Sequence, residues 1–211
     1  MRPMEFISNA FATLLVTVDP PAIAPMFLAL TMGMTASEKR QVAGRATIIA
    51  ALALAFFAIA GQKMLLLLGI TLPAFRIAGG LLLFWIAFEM VFDRRSARKS
   101  SVAKAAIDED HIRNVAAFPL AIPLMAGPGA ITATMLLAGQ TGGDLSLLAV
   151  LIVLIAIVCG LCWIVFLFAD RISGLLGVTG NIVLTRLLGI VLVALAIQFV
   201  LDGVKAAFGL R

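Results

Sequence analysis

The sequence predicts an all-α integral membrane protein with six transmembrane spans, arranged as two inverted three-helix repeats whose first and fourth spans are discontinuous. Three observations lead to this fold class. The chain is 63% hydrophobic and 13% charged, whereas a soluble domain is roughly half apolar and about a quarter charged. Its apolar runs are continuous rather than alternating, which favours helices over a β-barrel. Two proline-containing breaks recur at equivalent places in two of these runs.

The apolar runs mostly reach the roughly 20 residues that a helix needs to cross the hydrocarbon layer. By number they are 6–31, 42–60, 72–92, 115–137, 145–169 and 184–201. The start of the first run resembles a signal peptide, but Glu5 and the continuation of the run to Thr31 favour a transmembrane helix. We therefore expect one transmembrane domain over residues 1–211.

Each break lies in the middle of an apolar run. Asp19-Pro20-Pro21 interrupts the first run and Gly127-Pro128-Gly129 interrupts the fourth, so that Pro20 and Pro128 are 108 residues apart. The apolar pieces beside Asp19 are about 14 residues, or roughly 21 Å of helix, which is too short to cross the bilayer alone. Asp19 is therefore expected near the middle of the membrane.

The repeat extends beyond the breaks. Residues 68–71, Leu-Gly-Ile-Thr, match residues 176–179, Leu-Gly-Val-Thr, at the same offset. The Arg-x-x-Gly sequence from Arg76 matches the one from Arg186 after a two-residue insertion. Each half then holds three spans, and an odd number of spans inserts the second copy upside down. The predicted units are a first repeat over 1–93, a linker over 94–113 and a second repeat over 114–211.

Basic residues predict the orientation. Ten Lys and Arg residues follow spans one, three and five, against four on the other face, which places the 94–113 linker in the cytoplasm and both termini outside it. The net charge of +5 follows this topology. The lipid bilayer is therefore the expected partner, and nucleic acid is not.

The breaks predict a site for a substrate or an ion. Pro20 and Pro21 suit the first turn of a half-helix, and Asp19 suits its N-cap. Gly127 to Ala130 would begin a second half-helix, which has no carboxylate. Helix N-termini attract anions, whereas Asp19 would attract an ammonium group, Na⁺ or H⁺, so a small zwitterion fits both. The alternative is that Pro20 and Pro128 only kink packed helices and Asp19 only caps one of them.

Other polar residues in the spans have two interpretations each. Thr17, Thr132 and Thr134 flank the breaks and can contact a ligand or their own helix backbone. Arg76 and Arg186 can snorkel to the headgroups, or pair with Asp19, a substrate carboxylate or a gate. Interfacial placement is expected for Glu89 and Asp202, and hydrogen bonding between helices is expected for Asn181 and Gln198.

Two other classes of function compete with transport. Cys159 and Cys162 form a C-x-x-C sequence, as in thiol-disulfide electron carriers, but they lie inside an apolar run, where small cysteines commonly pack between helices. A non-transporting scaffold would need loops larger than those present. The sequence contains no nucleotide-binding loop, Cys/His metal set or nucleophilic triad. We therefore expect no enzyme activity, metal or cofactor, and transport that is downhill or coupled to H⁺ or Na⁺.

Two segments carry a resemblance to a known family. Residues 19–31, DPPAIAPMFLALT, and 118–131, FPLAIPLMAGPGAI, resemble the MarC family, also called the neutral amino acid transporter family. The resemblance covers nearly the whole chain. It implies a multi-pass bacterial inner-membrane protein, distantly related to the lysine-exporter superfamily, that carries small neutral amino acids such as alanine and glycine. A homo-oligomer is compatible with the sequence.

Overall fold

The computed structural model describes residues 3–92 and 116–209, which are helical without any strand. The 94–113 linker lies outside the described residues. In chain order the helices are α1 Pro3–Val18, α2 Pro20–Leu30, α3 Ala36–Leu67, α4 Leu72–Val91, the π-helix α5 Ala116–Met125, α6 Pro128–Gln140, α7 Leu145–Leu167 and α8 Ala169–Phe208.

The helix lengths confirm the prediction of an all-helical membrane protein. Within the described ranges, five helical stretches are long and apolar enough to span a membrane. A sixth span forms if the bent pair Pro119–Met125 and Pro128–Gln140 is counted as one. The last span, Thr179–Phe208, is longer than expected, because its helix continues beyond residue 201.

Side-chain caps fix where several helices begin. The Thr35 hydroxyl accepts a hydrogen bond from the Glu38 N–H, while the Glu38 carboxylate accepts one from the Thr35 N–H, so α3 begins with a capping box. Asp144 accepts hydrogen bonds from the Ser146 hydroxyl and N–H at the start of α7. These bonds lower the pKa of Asp144, because they stabilise its ionised form.

Two glycines interrupt the helices at the predicted repeat positions. Gly69, between α3 and α4, has a φ of 69°, and Gly177, inside α8, has a φ of 57°. Glycine adopts such positive φ values at no steric cost, because it has no Cβ. The two residues are 108 positions apart, the same offset as the proline breaks.

The α4–α8 crossing depends on glycines. A Cβ on Gly80 would stand 2.8 Å from the Ala196 carbonyl oxygen, and one on Gly189 would stand 3.2 Å from the Ala87 carbonyl oxygen. Small residues allow such close backbone approach, which is how helices associate within a bilayer. This crossing packs against the broken spans, since α8 contacts α2 and α4 contacts α6.

Candidate functional site

The first break is a single residue in left-handed conformation. Asp19 has φ 58° and ψ 64°, and its N–H donates to the Leu15 carbonyl at 2.9 Å. Among the described residues it is the only non-glycine residue with positive φ. This conformation costs an L-residue about 1–2 kcal/mol. The surrounding helices therefore hold Asp19 in a strained position between α1 and α2.

The Asp19 side chain is fully buried, at 0% exposure, and neither carboxylate oxygen has a hydrogen-bond partner among the described residues. Asp19 does occupy the N-cap position of α2, but its side chain makes no capping bond, unlike the predicted role. A capping residue usually has extended backbone and accepts from the second or third residue of the helix. Here the backbone is left-handed and the second residue, Pro21, has no N–H.

The prolines occupy the positions that the sequence predicts. Pro20 and Pro21 form the first turn of α2, where missing N–H groups disrupt no helical bond. Because proline has no N–H group, these two residues also remove two of the hydrogen-bond donors that a helix N-terminus normally offers. The start of α2 is therefore a poor site for an anion. Because the Asp19 carboxylate lies beside it, the same place suits a cation.

The second break joins a π-helix to an α-helix. The Ala126 N–H donates to the Ala121 carbonyl at 2.8 Å, which is the five-residue spacing of α5. The axes of the two half-helices then differ by 57°. A Cβ on Gly127 would stand 2.5 Å from the Pro123 carbonyl oxygen. This turn therefore excludes any residue with a side chain at position 127.

The N-terminus of α6 has no side-chain cap. Gly127 is extended at φ −80° and ψ 172°, and Pro128 forms the first helical position. The Ile131 N–H donates to the Gly127 carbonyl at 3.0 Å, which is the first hydrogen bond of the helix. The N–H groups of Gly129 and Ala130 come before it and have no acceptor within the helix. Gly129 and Ala130 are buried. Two backbone donors at a positive dipole end can hold a carboxylate.

The threonines divide between the two interpretations. Thr17 donates to the Thr13 carbonyl at 2.7 Å, which is a bond within its own helix. The γ2 methyl of Thr132 lies on Gly79 of α4. Thr134 is fully buried, and its hydroxyl has no hydrogen-bond partner in the described part of the chain.

A residue that no sequence motif singles out lies against the second break and shares a buried cluster with a residue near the first. The Ile86 side chain of α4 lies against Gly129 at the start of α6. It also belongs to a small buried cluster with Val16, three residues before Asp19, and with Met90 of α4. No sequence pattern marks Ile86, because it is one isoleucine within an apolar span.

Neither arginine bonds to Asp19, whose carboxylate oxygens have no hydrogen-bond partner within residues 3–92 and 116–209. Arg76 Nη2 donates to the Gly139 carbonyl at 3.1 Å, at the opposite end of α6 from the break. Gln62 Nε2 donates to the neighbouring Ala138 carbonyl at 2.9 Å. Arg186 is exposed on α8. The two arginines that match in the repeat therefore have different environments: Arg76 bonds the end of α6, and Arg186 is exposed.

The remaining polar residues lie in varied environments. Glu89 is buried, at 8% exposure, near the C-terminal end of α4. Gln198 Nε2 donates to Asp202 within α8 at 2.8 Å instead of bonding another helix. Asn181 Oδ1 has no hydrogen-bond partner among the described residues. Cys159 and Cys162 are buried on the core side of α7, and neither is in a disulfide within the described residues.

Comparison with known sequences gives the family. The family model described as MarC family integral membrane protein matches residues 4–208. The chain belongs to the MarC family. An Archaeoglobus fulgidus relative named UPF0056 membrane protein is 37% identical over 95% of this chain and 92% of its own length.

Bacterial members of the MarC family are similarly close. UPF0056 membrane protein YhcE of Escherichia coli is 35% identical over 94% of this chain and 91% of its own length. UPF0056 membrane protein YvbG of Bacillus subtilis is 34% identical over 97% of this chain and 96% of its own length. No solved structure matches the chain. This MarC protein is therefore an integral multi-pass membrane protein with bacterial relatives, in contact with the lipid bilayer.

Proposed function

We propose that this MarC family member is a secondary carrier of small neutral amino acids, such as alanine and glycine, across the bacterial inner membrane. Its site is the pair of half-helix N-termini at the two breaks. The protein acts without enzyme chemistry or a resident cofactor. The carrier runs downhill or is coupled to H⁺ or Na⁺.

The main support for the proposal is the burial of the Asp19 carboxylate and the left-handed backbone of this residue. Its carboxylate is fully buried and has no hydrogen bond within the described part of the chain. Such a group is costly, at about 2.5–3.5 kcal/mol on membrane insertion scales. Left-handed backbone adds strain at the same residue. Strained, unsatisfied groups of this kind cluster at sites where a ligand compensates them. A substrate ammonium group or a coupled cation would supply the missing partner of Asp19.

The asymmetry of the breaks supports a zwitterionic substrate. The N-terminus of α2 has a carboxylate and two prolines, which favours a positive group. The N-terminus of α6 has buried backbone donors at Gly129 and Ala130 and no acidic residue, which favours a carboxylate. A small amino acid carries both charges, one carbon apart.

The packing supports an inverted repeat of three spans on each side of the linker. In this repeat α1, α2, α3 and α4 correspond to α5, α6, α7 and α8. The contact between α1 and α7 then corresponds to the contact between α5 and α3, and both are present. Likewise, the contact between α2 and α8 corresponds to the contact between α6 and α4. In this proposal the site lies between the repeats, which rock against each other to alternate access. In this proposal the linker is cytoplasmic and both termini are periplasmic, as the distribution of basic residues favours.

Arg76 and Gln62 supply a candidate gate at the far end of α6. Together they hold the Ala138 and Gly139 carbonyls against α3 and α4. A cation at a helix C-terminus is favourable, so these bonds stabilise α6 in its present position. By the predicted orientation, this contact closes the periplasmic side, and opening requires breaking it.

The experiment is uptake of labelled alanine and glycine into proteoliposomes, with imposed H⁺ or Na⁺ gradients. We expect saturable uptake in the unmodified protein. The variant Asp19→Asn keeps the shape and the tolerance of left-handed backbone but removes the charge, and we expect it to lose uptake or its dependence on the ion gradient.

Asp202→Asn is the matched control, because Asp202 is bonded within α8. It should keep uptake and ion dependence. If the unmodified protein moves no amino acid under any gradient, the cargo is wrong. If Asp19→Asn retains both uptake and ion dependence, the role of Asp19 is wrong.

A further inference from the structure

The seam between α4 and α6 brings one apolar side chain to the second break. Gly79 of α4 lies against Thr132, in the helical part of α6. Seven residues later, Ile86 lies against Gly129, in the first turn of α6. Because the two helices run antiparallel along this seam, the end of α6 nearest the break faces the part of α4 that contains Ile86.

Ile86 fills the space that a side chain on residue 129 would take. Its Cδ1 stands 2.6 Å from the place of a Cβ on Gly129, and Ile86 is only 4% exposed. Ile86 also shares a small buried cluster with Val16, which is close in sequence to Asp19. Ile86 therefore lies against the second break and belongs to the same cluster as a residue near the first.

We propose that Ile86 sets the upper size limit of the transported side chain. This inference rests on the proposed function, in which the N–H groups of Gly129 and Ala130 hold the substrate carboxylate. A ligand bound there has its α-carbon within reach of the Ile86 δ-methyl. Hydrogen or methyl on that carbon fits beside Ile86, whereas a branched side chain competes with Ile86 for a close-packed volume.

The test is a competition between labelled alanine and valine in the same proteoliposomes. The ratio of the two uptake rates does not depend on how much protein is folded, so it reports selectivity alone. We expect the unmodified protein to prefer alanine. Ile86→Ala should lower this preference about 10-fold or more, since one methylene in an apolar pocket changes discrimination by about 10–200-fold. Ile86→Val should lower the preference for alanine by a smaller factor. This milder variant tests the same role if Ile86→Ala does not fold.

Ile77→Ala is the matched control, because Ile77 lies on α4 but packs on Gly203 of α8. It should leave the alanine-to-valine ratio unchanged. An unchanged ratio in both Ile86 variants, with alanine still transported, would overturn the assignment of Ile86 while leaving the proposed function intact. If the unmodified protein transports no amino acid, the proposed function fails and this inference fails with it.

Discussion

Arg76 donates a hydrogen bond to the Gly139 carbonyl at 3.1 Å and thereby ties α4 to the last turn of α6. Its repeat-equivalent, Arg186, is exposed on α8. Two arginines that the sequence treats as a pair therefore have different environments. Because the Arg76 bond joins residues 63 positions apart, it contributes to tertiary stability rather than to a single helix.

Replacing Arg76 with alanine should destabilise the protein more than replacing Arg186. The first change removes a charge-assisted bond to a partly buried carbonyl, a class of bond that contributes about 1.5–3 kcal/mol. The second removes an exposed cation. Thermal unfolding in one detergent measures the difference. Equal melting temperatures for Arg76→Ala and Arg186→Ala would show that the Arg76 bond contributes little.

Asp19→Gly should make the protein more stable and inactive. Glycine adopts left-handed backbone without the cost of about 1–2 kcal/mol, and it removes a buried carboxylate that lacks partners. Glycine also increases the conformational entropy of the unfolded chain, which lowers the free energy of unfolding, but this effect is smaller than the two gains. The melting temperature should rise while alanine uptake disappears. A lower melting temperature would indicate that Asp19 stabilises the fold, and would argue against a ligand as its missing partner.

Gly127→Ala should be severely destabilising. The added Cβ would stand 2.5 Å from the Pro123 carbonyl oxygen, which belongs to the backbone and cannot rotate away. Overpacking of this kind costs about 1–3 kcal/mol and occasionally more. Gly160→Ala in α7 is the control, since its Cβ would meet nothing within 4 Å. That change should stabilise by about 0.5–1 kcal/mol. The two melting temperatures should move in opposite directions.

Replacing Cys159 and Cys162 with serine should leave alanine uptake unchanged. Both thiols are buried in α7, away from the broken spans in sequence, and neither forms a disulfide. A thiol-disulfide carrier requires both sulfurs to exchange with a partner. Uptake by the double variant, together with thiol labelling of the unmodified protein in its native state, distinguishes the classes. Rapid labelling of both thiols and loss of a redox activity in the double variant would favour an electron carrier.

The sequence alone determined the solvent of this protein, its helical spans and the position of its breaks. Each apolar segment enters the bilayer because of its own hydropathy, and proline and glycine change the backbone at their own positions. These features are therefore local and can be read from the sequence. The breaks at Asp19 and Gly127 lie where the sequence predicts them, and the left-handed glycines Gly69 and Gly177 lie in two segments whose sequences match.

Only the tertiary structure decided what those features contact. Among the described residues it left Asp19 without a hydrogen-bond partner, bonded Arg76 to the end of α6, buried Glu89 and brought Ile86 to the second break. Such contacts depend on how helices far apart in sequence align along their shared surfaces. In a membrane both the interior and the lipid-facing sides of a helix are apolar, so the sequence carries little signal to distinguish a residue such as Ile86 from its lipid-facing neighbours.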